Sequence, residues 1–528
     1  MRTSVHLAAV AAGCVALGLS ALAGVEPPTV GVAAGQLRGE SIQSGAVFKG
    51  IPYARPPVGD LRWRAPQPAT PWTDVRDAKT FGAPCAQNSG GRVLENSSED
   101  CLYLNVWTAE WPARSPKPVV VWLHGGGNFG GTASDPSSSA AGLAARGLVV
   151  VTLNYRLGLF GFFAHPALTR ESPHHASGNY GLMDQIAALR WVRDNIARFG
   201  GDPARVTLGG QSAGAVDVNV LLTSPLAKGL FHRAIAESGT VTRVPDDATV
   251  RMTGLAATMA PHSGGTYSDA LTLREAEHAG EQLTANPRSL TTTDLLKAMS
   301  APRMSIGPAN GIVVDGWVLP EAPADVFITG REHRVPLLIG SNARERTPEV
   351  TVDALANAAK AMYGPLAPRA LALYDFAAAK SDPLSGNPAA QWLVDTMYRC
   401  PAVLQERWHA TAGNPSYGYQ FDRAAPGREA FGATHGAELP YVFGVANPRW
   451  VAADHDISET MQTYWANFAA TGDPNGASRQ PSLTAWPKFI APDQSYMEFM
   501  DAGPAVHEGL RRPYCDLYVD NVKRLMAR

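Results

Sequence analysis

Apolar runs rich in β-branched residues recur along the chain, and turn-forming residues bound each of them. The runs are residues 118–123, 148–154, 205–209, 233–237 and 335–340. Continuous apolar runs, as opposed to alternating ones, are typical of strands buried on both faces of a largely parallel sheet. The pattern therefore predicts a mostly parallel sheet at the centre of the fold.

A helical repeat lies between the second and third of these runs, in residues 181–199. The apolar side chains that recur there at helical spacing are Leu182, Ile186, Leu189 and Ile196. Asp184 is predicted in the first turn of this helix, where the helix dipole favours an acid. An amphipathic helix in this place supplies the crossover connection that two parallel strands need.

Repeated alternation of strands and helices predicts one doubly wound α/β core, with helices flanking the sheet. The segment from about residue 245 to 330 is richer in Ala, Thr, Pro and helix formers. We expect it to form helical excursions above the sheet rather than a separate domain.

The composition is that of a globular protein, because 45% of the 528 residues are hydrophobic and 17% are charged, which excludes intrinsic disorder. The 45 Lys and Arg residues nearly balance the 47 Asp and Glu residues, and no run of like charge occurs. Nucleic acids and anionic lipids bind surfaces with a surplus of basic residues. The sequence therefore gives no reason to expect either as a partner.

The amino terminus has the pattern of a secretory signal. Arg2 precedes an apolar stretch, residues 7–22, and small residues lead to a cleavage site that we place after Ala23. A retained anchor is disfavoured because about 16 apolar residues fall short of the roughly 20 that span a bilayer. A lipoprotein is disfavoured because apolar sequence continues beyond Cys14. We expect a secreted or periplasmic protein with no stable membrane anchor, whose mature chain, 24–528, is one catalytic domain.

Four cysteines remain after removal of the signal, and an even number in an oxidising compartment favours two disulfides. Three pairings are possible, and four unpaired buried thiols would suit the cytosol better. We prefer Cys85–Cys101, which closes a short polar loop, and Cys400–Cys515, which ties the C-terminal tail to a helix-like segment.

A candidate nucleophile, Ser212, lies in the pentapeptide Gly-Gln-Ser-Ala-Gly, residues 210–214, after a predicted strand and before a predicted helix. A serine at the tip of a sharp strand-to-helix turn leaves no room for bulky side chains two residues away on either side, and glycine meets that need. The helix that follows directs its N-terminal amides towards the place where negative charge develops in acyl transfer. The setting predicts a nucleophilic serine.

A glycine run, His-Gly-Gly-Gly at residues 124–127, ends the apolar strand before it. Glycines there let backbone amides approach a substrate oxygen, as in an esterase oxyanion hole. A phosphate-binding loop would need Gly-Lys-Ser/Thr, which is missing. A plain turn would not explain why the run occurs together with the serine turn.

A nucleophilic serine needs a base and an acid, which follow it in the order acid, then histidine. Glu345 lies five residues after Gly340, at the end of a predicted strand, and His435 lies between small residues that leave room for an imidazole. Glu349, close by after Pro348, is expected to be a surface residue or a helix-start acid. No His-Glu-x-x-His and no Cys or His cluster with zinc spacing occurs, so the sequence does not support a metal mechanism.

These motifs, taken together, resemble the type-B carboxylesterases, a family that includes the cholinesterases and many bacterial esterases. The resemblance runs from about residue 48 to 476, most of the mature chain. Its landmarks are EDCLYLNVW (99–107), HGGG (124–127), NYRLGLFGF (154–162), GNYGLMDQ (178–185), FGGDPARVTLGGQSAGA (199–215), AESGT (236–240) and HGAELPYVFG (435–444).

The resemblance implies an α/β-hydrolase fold with Ser212 as nucleophile, His435 as base and Glu345 as acid. It further implies an oxyanion hole made by three backbone amides, those of Gly126, Gly127 and Ala213. It also supports the two preferred disulfide pairings.

The chain departs from the family pattern at several positions. Gln211 stands where many members have Glu, and Arg344 and Arg346 flank Glu345 where the family usually shows Asp-Glu-Gly. If these arginines point into the pocket, they could favour an anionic ester by pairing with its carboxylate; we expect two solvated loop charges instead. The loop between Cys85 and Cys101 has no tryptophan. In the cholinesterases this loop carries the aromatic residue that binds a quaternary ammonium, so a choline ester is not expected as the substrate.

The sequence thus predicts a secreted serine carboxylesterase, free of metal and cofactor, that hydrolyses small-molecule esters through an acyl-enzyme. An amidase or a lactonase would use the same residues. A non-catalytic adhesion or binding module of the same fold would lose the serine or the histidine, whereas this chain keeps both.

Overall fold

The computed structural model describes most of the chain after the predicted export signal, and that signal, residues 1–23, lies outside the described residues. The described ranges are 26–43, 45–89, 92–242, 270–300, 311–347, 349–377, 381–478 and 480–527. None of the helices in these ranges is long and apolar enough to cross a membrane.

The strands in the described residues are numbered in chain order. They are β1 (Thr29–Val32), β2 (Gly35–Arg38), β3 (Glu40–Ile42), β4 (Gly45–Pro52), β5 (Arg76–Asp77), β6 (Asn88–Ser89), β7 (Arg92–Val93), β8 (Tyr103–Thr108), β9 (Lys117–Leu123), β10 (Val149–Leu153), β11 (Gly201–Gln211), β12 (Arg233–Glu237), β13 (Leu271–Thr272), β14 (Val313–Val314), β15 (Leu337–Asn342), β16 (Ser416–Phe421), β17 (Ser495–Met500) and β18 (Gly503–Glu508).

The α-helices of the same ranges are numbered likewise. They are α1 (Ala141–Ala144), α2 (Gly158–Gly161), α3 (Pro166–Glu171), α4 (Tyr180–Asn195), α5 (Ala213–Leu221), α6 (Leu273–Leu283), α7 (Thr292–Met299), α8 (Pro323–Ile328), α9 (Val352–Tyr363), α10 (Ala367–Tyr374), α11 (Pro388–Val394), α12 (Cys400–Thr411), α13 (Leu439–Phe443), α14 (Ala452–Thr471) and α15 (Arg512–Met526).

An eleven-stranded sheet is the largest sheet in the described ranges, with the order β18-β17-β16-β15-β12-β11-β9-β10-β8-β4-β3. Its centre, from β17 to β10, is parallel, and the flanking strands β18, β8, β4 and β3 each pair antiparallel with a neighbour. The carboxyl ends of β9, β11, β12, β15 and β16 therefore meet at one edge. The α/β-hydrolase fold expected from the sequence is present.

Alternate side chains of β9 enter two different cores because successive residues of a strand point to opposite faces. Val119 and Val121 belong to the core that includes Leu189 of α4. Val120 and Trp122 belong to the core on the other face, and Trp122 packs edge-on against Phe443 of α13 with ring centroids 4.9 Å apart. Helices thus cover both faces of the sheet, which explains why the strand has no polar alternation.

Most predicted strands agree with the structure to within two residues at each end, and β11 is the exception. It begins at Gly201, which pairs with Lys117 across an irregularity in the ladder. The turn-forming residues of this stretch, Gly-Asp-Pro at 201–203, did not indicate a strand, so the pairing at Gly201 was not predicted. The prediction that Asp184 lies in the first turn of its helix is wrong, because α4 begins at Tyr180 and its first turn carries no acid. Asp184 is instead fully buried and pairs with Arg156 at 2.7 Å.

The segment predicted to form helical excursions is described only in part, since residues 243–269 and 301–310 lie outside the described ranges. Its described part contains α6, α7 and α8. Capping boxes begin the first two: the Thr272 hydroxyl accepts from the Glu275 amide and the Thr291 hydroxyl from the Asp294 amide. Such caps stabilise helix starts by about 1 kcal/mol each.

Two disulfides join the pairs that the sequence favoured. Cys85 bonds to Cys101 around the loop that contains β6 and β7, and Cys400 at the start of α12 bonds to Cys515 in α15. All four side chains are buried. The second bond fixes the C-terminal helix to α12, which packs against the sheet.

Candidate active site

Ser212 lies at a sharp turn between β11 and α5, with φ 57° and ψ −122°. Few residues other than glycine adopt such a conformation. A Cβ atom on Gly214 would lie 2.2 Å from the Leu123 carbonyl oxygen, and one on Gly210 would lie 2.5 Å from the backbone carbon of Gly214. Both glycines are therefore required by the close approach of β9, β11 and α5. The Ser212 N–H donates to the Glu237 carbonyl at 2.8 Å, which fixes the turn to β12.

The loop after β9 passes beside this turn and presents backbone amides. Gly126 and Gly127 have φ angles of 115° and 67°. The amides of Phe129 and Gly130 both donate to the Gly126 carbonyl at 3.1 Å, which makes the loop compact. Neither Gly126 N–H nor Gly127 N–H, nor that of Ala213 at the start of α5, donates to another described residue. The three amides are thus without an acceptor among the described residues, as an oxyanion hole would require.

Side chains hold both ends of this glycine loop. At its start, the His124 ring nitrogen Nδ1 donates to the Gly125 carbonyl at 2.8 Å, and the Tyr155 hydroxyl donates to the His124 carbonyl at 2.7 Å. At its end, the Gln87 amide both donates to and accepts from the Gly131 backbone at 2.9 Å. Burial lowers the pKa of His124 to about 4, so its imidazole is neutral at pH 7 and adds no charge beside the loop.

The buried Glu345 and the partly exposed His435 form a pair at the same edge of the sheet. Glu345 follows β15 by three residues and is 1% exposed, and its Oε2 lies 2.6 Å from Nδ1 of His435. The two backbones are joined as well, because the His435 N–H donates to the Glu345 carbonyl at 2.7 Å. A carboxylate at this distance keeps the proton on Nδ1 and leaves Nε2 free to act as a base.

Two further residues hold the carboxylate of Glu345, and the sequence analysis did not assign them a role. The Ser238 hydroxyl donates to Glu345 Oε1 at 2.6 Å, and the Asn342 N–H donates to the same oxygen at 2.8 Å. Ser238 follows β12 directly, at the carboxyl edge, and it lies in the landmark AESGT (236–240); both signals could have pointed to it. With Oε1 occupied in this way, Oε2 is directed at the imidazole.

The remaining ring nitrogen of His435 lies near the serine turn. Gln211 Nε2 lies 3.4 Å from His435 Nε2, and Gln211 is the residue directly before Ser212. The Ser212 hydroxyl makes no hydrogen bond to His435 among the described residues. Hydrogen bonds between catalytic groups are often long in unliganded enzymes and tighten when substrate binds. The structure therefore brings the imidazole to the serine turn without closing the last contact.

Two further buried acids, Glu438 and Glu237, lie near Glu345. The side-chain amide of Asn342 donates to Glu438, and the Trp465 indole N–H donates to Glu237 at 2.7 Å. Burial and the charge of Glu345 raise the pKa of Glu438, and burial together with Glu438 raises the pKa of Glu237. Both shifts favour the protonated form of these acids more than water would.

The two arginines that flank Glu345 have different environments. Arg344 is 9% exposed, and its guanidinium donates to the carbonyls of Ala430 and Pro383 at 2.7 and 2.8 Å. The expectation of a solvated charge is therefore wrong for Arg344, because its side chain turns inward to join two loops. Arg346 and Glu349 are exposed, as expected.

No three His, Cys, Asp or Glu side chains gather as metal ligands in the part of the chain that the structure describes. The candidate site consists of a serine turn, a buried carboxylate paired with a partly exposed imidazole, and a loop whose Gly126 and Gly127 amides have no acceptor among the described residues. Together they can activate a hydroxyl and stabilise an oxyanion.

Comparison with known proteins gives a consistent result. A sequence model described as the carboxylesterase family matches residues 26–518. The chain is 36% identical over 484 residues to a fumonisin B1 esterase of Sphingopyxis macrogoltabida, covering 85% of this chain and 84% of that protein. It is 35% identical over 517 residues to carboxylesterase 1D of Mus musculus, covering 88% of each chain. A solved carboxylesterase of Geobacillus stearothermophilus superimposes with a TM-score of 0.76 at 31% identity, covering 93% of this chain and 99% of that one.

Proposed function

The chain belongs to the carboxylesterase family and is a carboxylic ester hydrolase, and we propose that it is an exported serine esterase that acts through an acyl-enzyme on Ser212. In this proposal Ser212, His435 and Glu345 are the catalytic residues. The amides of Gly126, Gly127 and Ala213 form the oxyanion hole. Residues 24–528 form one catalytic domain.

The first half of the reaction forms the acyl-enzyme. Ser212 Oγ attacks the carbonyl carbon of the ester while His435 Nε2 takes the hydroxyl proton, and Glu345 stabilises the resulting imidazolium. The carbonyl oxygen becomes an oxyanion that the three backbone amides bind. The tetrahedral intermediate then expels the alcohol oxygen, which receives the proton from His435.

The second half releases the acid. A water molecule attacks the acyl carbon and gives a proton to His435 Nε2. A second oxyanion forms at the same amides and collapses, the bond between the acyl carbon and Ser212 Oγ breaks, and His435 returns the proton to Ser212. The enzyme is regenerated, and one water has been consumed for each ester bond.

The contact of 2.6 Å between Glu345 Oε2 and His435 Nδ1, at the sheet edge that carries the Ser212 turn, is the observation that carries the proposal. A buried carboxylate bound to Nδ1 fixes the tautomer and the orientation of the imidazole, so that Nε2 can accept a proton. Gln211, beside the second nitrogen, joins that imidazole to the serine turn. The amides of Gly126 and Gly127, which have no acceptor among the described residues, lie in the loop after β9, the strand beside β11.

Export is supported by two buried disulfides, which persist in oxidising compartments and are rare in the cytosol. It is also supported by the n-region, apolar region and small residues of the first 23 positions.

The ester substrate is a small molecule with a carbonyl that can reach Ser212. One relative is named for its action on fumonisin B1, and the relative from Mus musculus is named only as a carboxylesterase. An amidase or lactonase would use the same residues, so the leaving group has to be tested directly.

A substrate panel with a matched variant tests the proposal. Aryl esters of varied acyl length and charge, the matching anilides and a lactone are compared for turnover by the wild type and by Ser212→Ala. We expect ester hydrolysis, blocked by an organophosphate, and a loss of about 10⁴-fold or more in kcat for Ser212→Ala. Turnover of anilides or lactones ahead of all esters would reassign the leaving group, and substantial turnover by Ser212→Ala would contradict the serine mechanism.

A further inference from the structure

Asp217 is a fully buried acid that no part of the mechanism above uses. It lies in α5, five residues after Ser212, and has 0% exposure. No Lys, Arg or His of the described ranges pairs with it. Its partners are two neutral amides: Asn128 Nδ2 donates to Oδ1 at 3.0 Å, and Gln185 Nε2 donates to Oδ2 at 2.5 Å.

These contacts join three elements around the oxyanion amides. Asn128 directly follows Gly127 in the glycine loop, Gln185 lies in α4, and Asp217 lies in the helix whose first residue, Ala213, supplies the third amide. The two halves of the proposed oxyanion hole are thus connected by one side-chain hydrogen bond.

Asn128 is fixed at two points, and its backbone conformation is unusual. Its φ is 61°, in the left-handed region that Asn tolerates better than most residues. Its carbonyl accepts from the Gly158 N–H at 2.6 Å, and its side chain is held by Asp217. Loss of the side-chain contact would leave the loop fixed through the backbone and through Gln87 and His124, but no longer tied to α5.

We propose that Asp217 is a positioning residue of the oxyanion hole: through Asn128 it sets the distance between the amides of Gly126 and Gly127 and the amide of Ala213. This inference rests on the proposed function of those amides. An oxyanion hole works only when its donors are held about 2.7–3.1 Å from the developing oxyanion, so a displaced loop lowers kcat with little effect on substrate binding.

The environment of Asp217 favours the protonated form more than water does. Burial raises the pKa of Asp217 to about 7, partly opposed by the two amide hydrogen bonds. The charge of Asp217 also affects Tyr155, whose own pKa burial raises well above the usual value. A protonated Asp217 would place no negative charge behind the site where the oxyanion forms.

Three variants of the full-length protein test the proposal. Asp217→Leu removes the acceptor, Asn128→Gly removes the donor while glycine keeps the positive φ, and Asp217→Asn keeps an acceptor for Asn128. Active sites are first counted by the burst of an activated aryl ester, so that kcat refers to folded enzyme. The affinity for a trifluoromethyl ketone, whose adduct with serine places an oxyanion in the hole, is measured alongside.

We expect Asp217→Leu and Asn128→Gly each to lower kcat per active site by about 30-fold or more, with KM changed by less than about threefold. The affinity for the ketone should fall in parallel. Asp217→Asn should stay within about fivefold of the wild type. Because both residues act through one contact, the double variant should be no more than about threefold worse than the poorer single variant.

Glu332→Leu is the matched control for a merely structural loss. Glu332 is 3% exposed and accepts from an amide, Asn414 Nδ2 at 3.1 Å, and it also lies 2.8 Å from Nδ1 of the buried His409. It lies five residues before β15, at the opposite edge of the sheet. This variant should lose stability and keep kcat per active site.

Failure of the inference and failure of the proposed function give different results. If Asp217→Leu and Asn128→Gly keep kcat and ketone affinity within about threefold of the wild type, the positioning role is overturned, whatever happens to melting temperature. If the wild type shows no burst that Ser212→Ala abolishes, the proposed function itself fails, and the inference fails with it.

Discussion

Gln211 holds its side-chain nitrogen 3.4 Å from Nε2 of His435, on the side of the ring away from the nitrogen that binds Glu345. The imidazole therefore has a carboxylate at one nitrogen and a neutral amide near the other. In the proposed mechanism Nε2 is the atom that receives the proton of Ser212. Because the Gln211 side chain is uncharged, it does not favour protonation of Nε2 as a carboxylate in the same place would.

Gln211→Glu should move the acidic limb of the kcat/KM profile to higher pH, by about one unit. A carboxylate beside Nε2 favours the imidazolium, and a protonated His435 cannot act as a base, so activity is lost at a higher pH. The profile is measured with a neutral ester. Gln211→Met, of similar length and uncharged, is the control and should leave the midpoint nearly in place. An unshifted midpoint in the Glu variant would contradict the role given to Nε2.

Glu345→Gln should lower kcat by roughly 10³- to 10⁴-fold, because an amide in this place can bind the wrong tautomer of His435 and does not stabilise the imidazolium. Glu349→Gln should change kcat by less than about tenfold, since that side chain is exposed. Single-turnover acylation rates of both variants check this prediction. Equal losses, or a loss only at position 349, would mean that the acid has been placed wrongly.

Much of the fold and of the site could be predicted because the signals are local. The apolar runs of β9, β10 and β12 are continuous, and the glycines around Ser212 and in the loop after β9 answer steric needs within a few residues. The order of serine, acid and histidine then follows from strands whose carboxyl ends share one edge. Position along a strand was enough for Ser212 and Glu345, whereas His435 lies 14 residues after the end of β16 and was chosen for its small neighbours and from the resemblance.

The contacts that complete the site depend on residues far apart in the chain. Ser238 reaches Glu345 across 107 positions, and Asn128 reaches Asp217 across 89. No periodicity encodes such pairs. Arg344 was expected in solvent because a charged loop residue usually is, and only the fold shows that two backbone carbonyls accept its guanidinium.

The Asp217→Asn variant should gain stability over the wild type as pH rises from 5 to 8. The pKa of Asp217 is about 7 in the folded protein against 3.8 ordinarily, so between these values the folded state holds a proton that the unfolded state has lost. The free energy of unfolding then falls with rising pH, by roughly 3 kcal/mol between pH 5 and 8 for this group. Denaturant titrations of both proteins at the two pH values measure the difference. A difference that does not change with pH would show that Asp217 does not titrate in this range.

Trapping of the acyl group on Ser212 is the most direct test of the proposed mechanism. The enzyme is mixed rapidly with an activated aryl ester, quenched in acid and digested, and the peptide containing Ser212 is examined by mass spectrometry. We expect a burst of about one aryl product per active site and an acyl group on Ser212, with neither in Ser212→Ala. Steady turnover by Ser212→Ala, or an acyl group on another residue during catalysis, would contradict the mechanism.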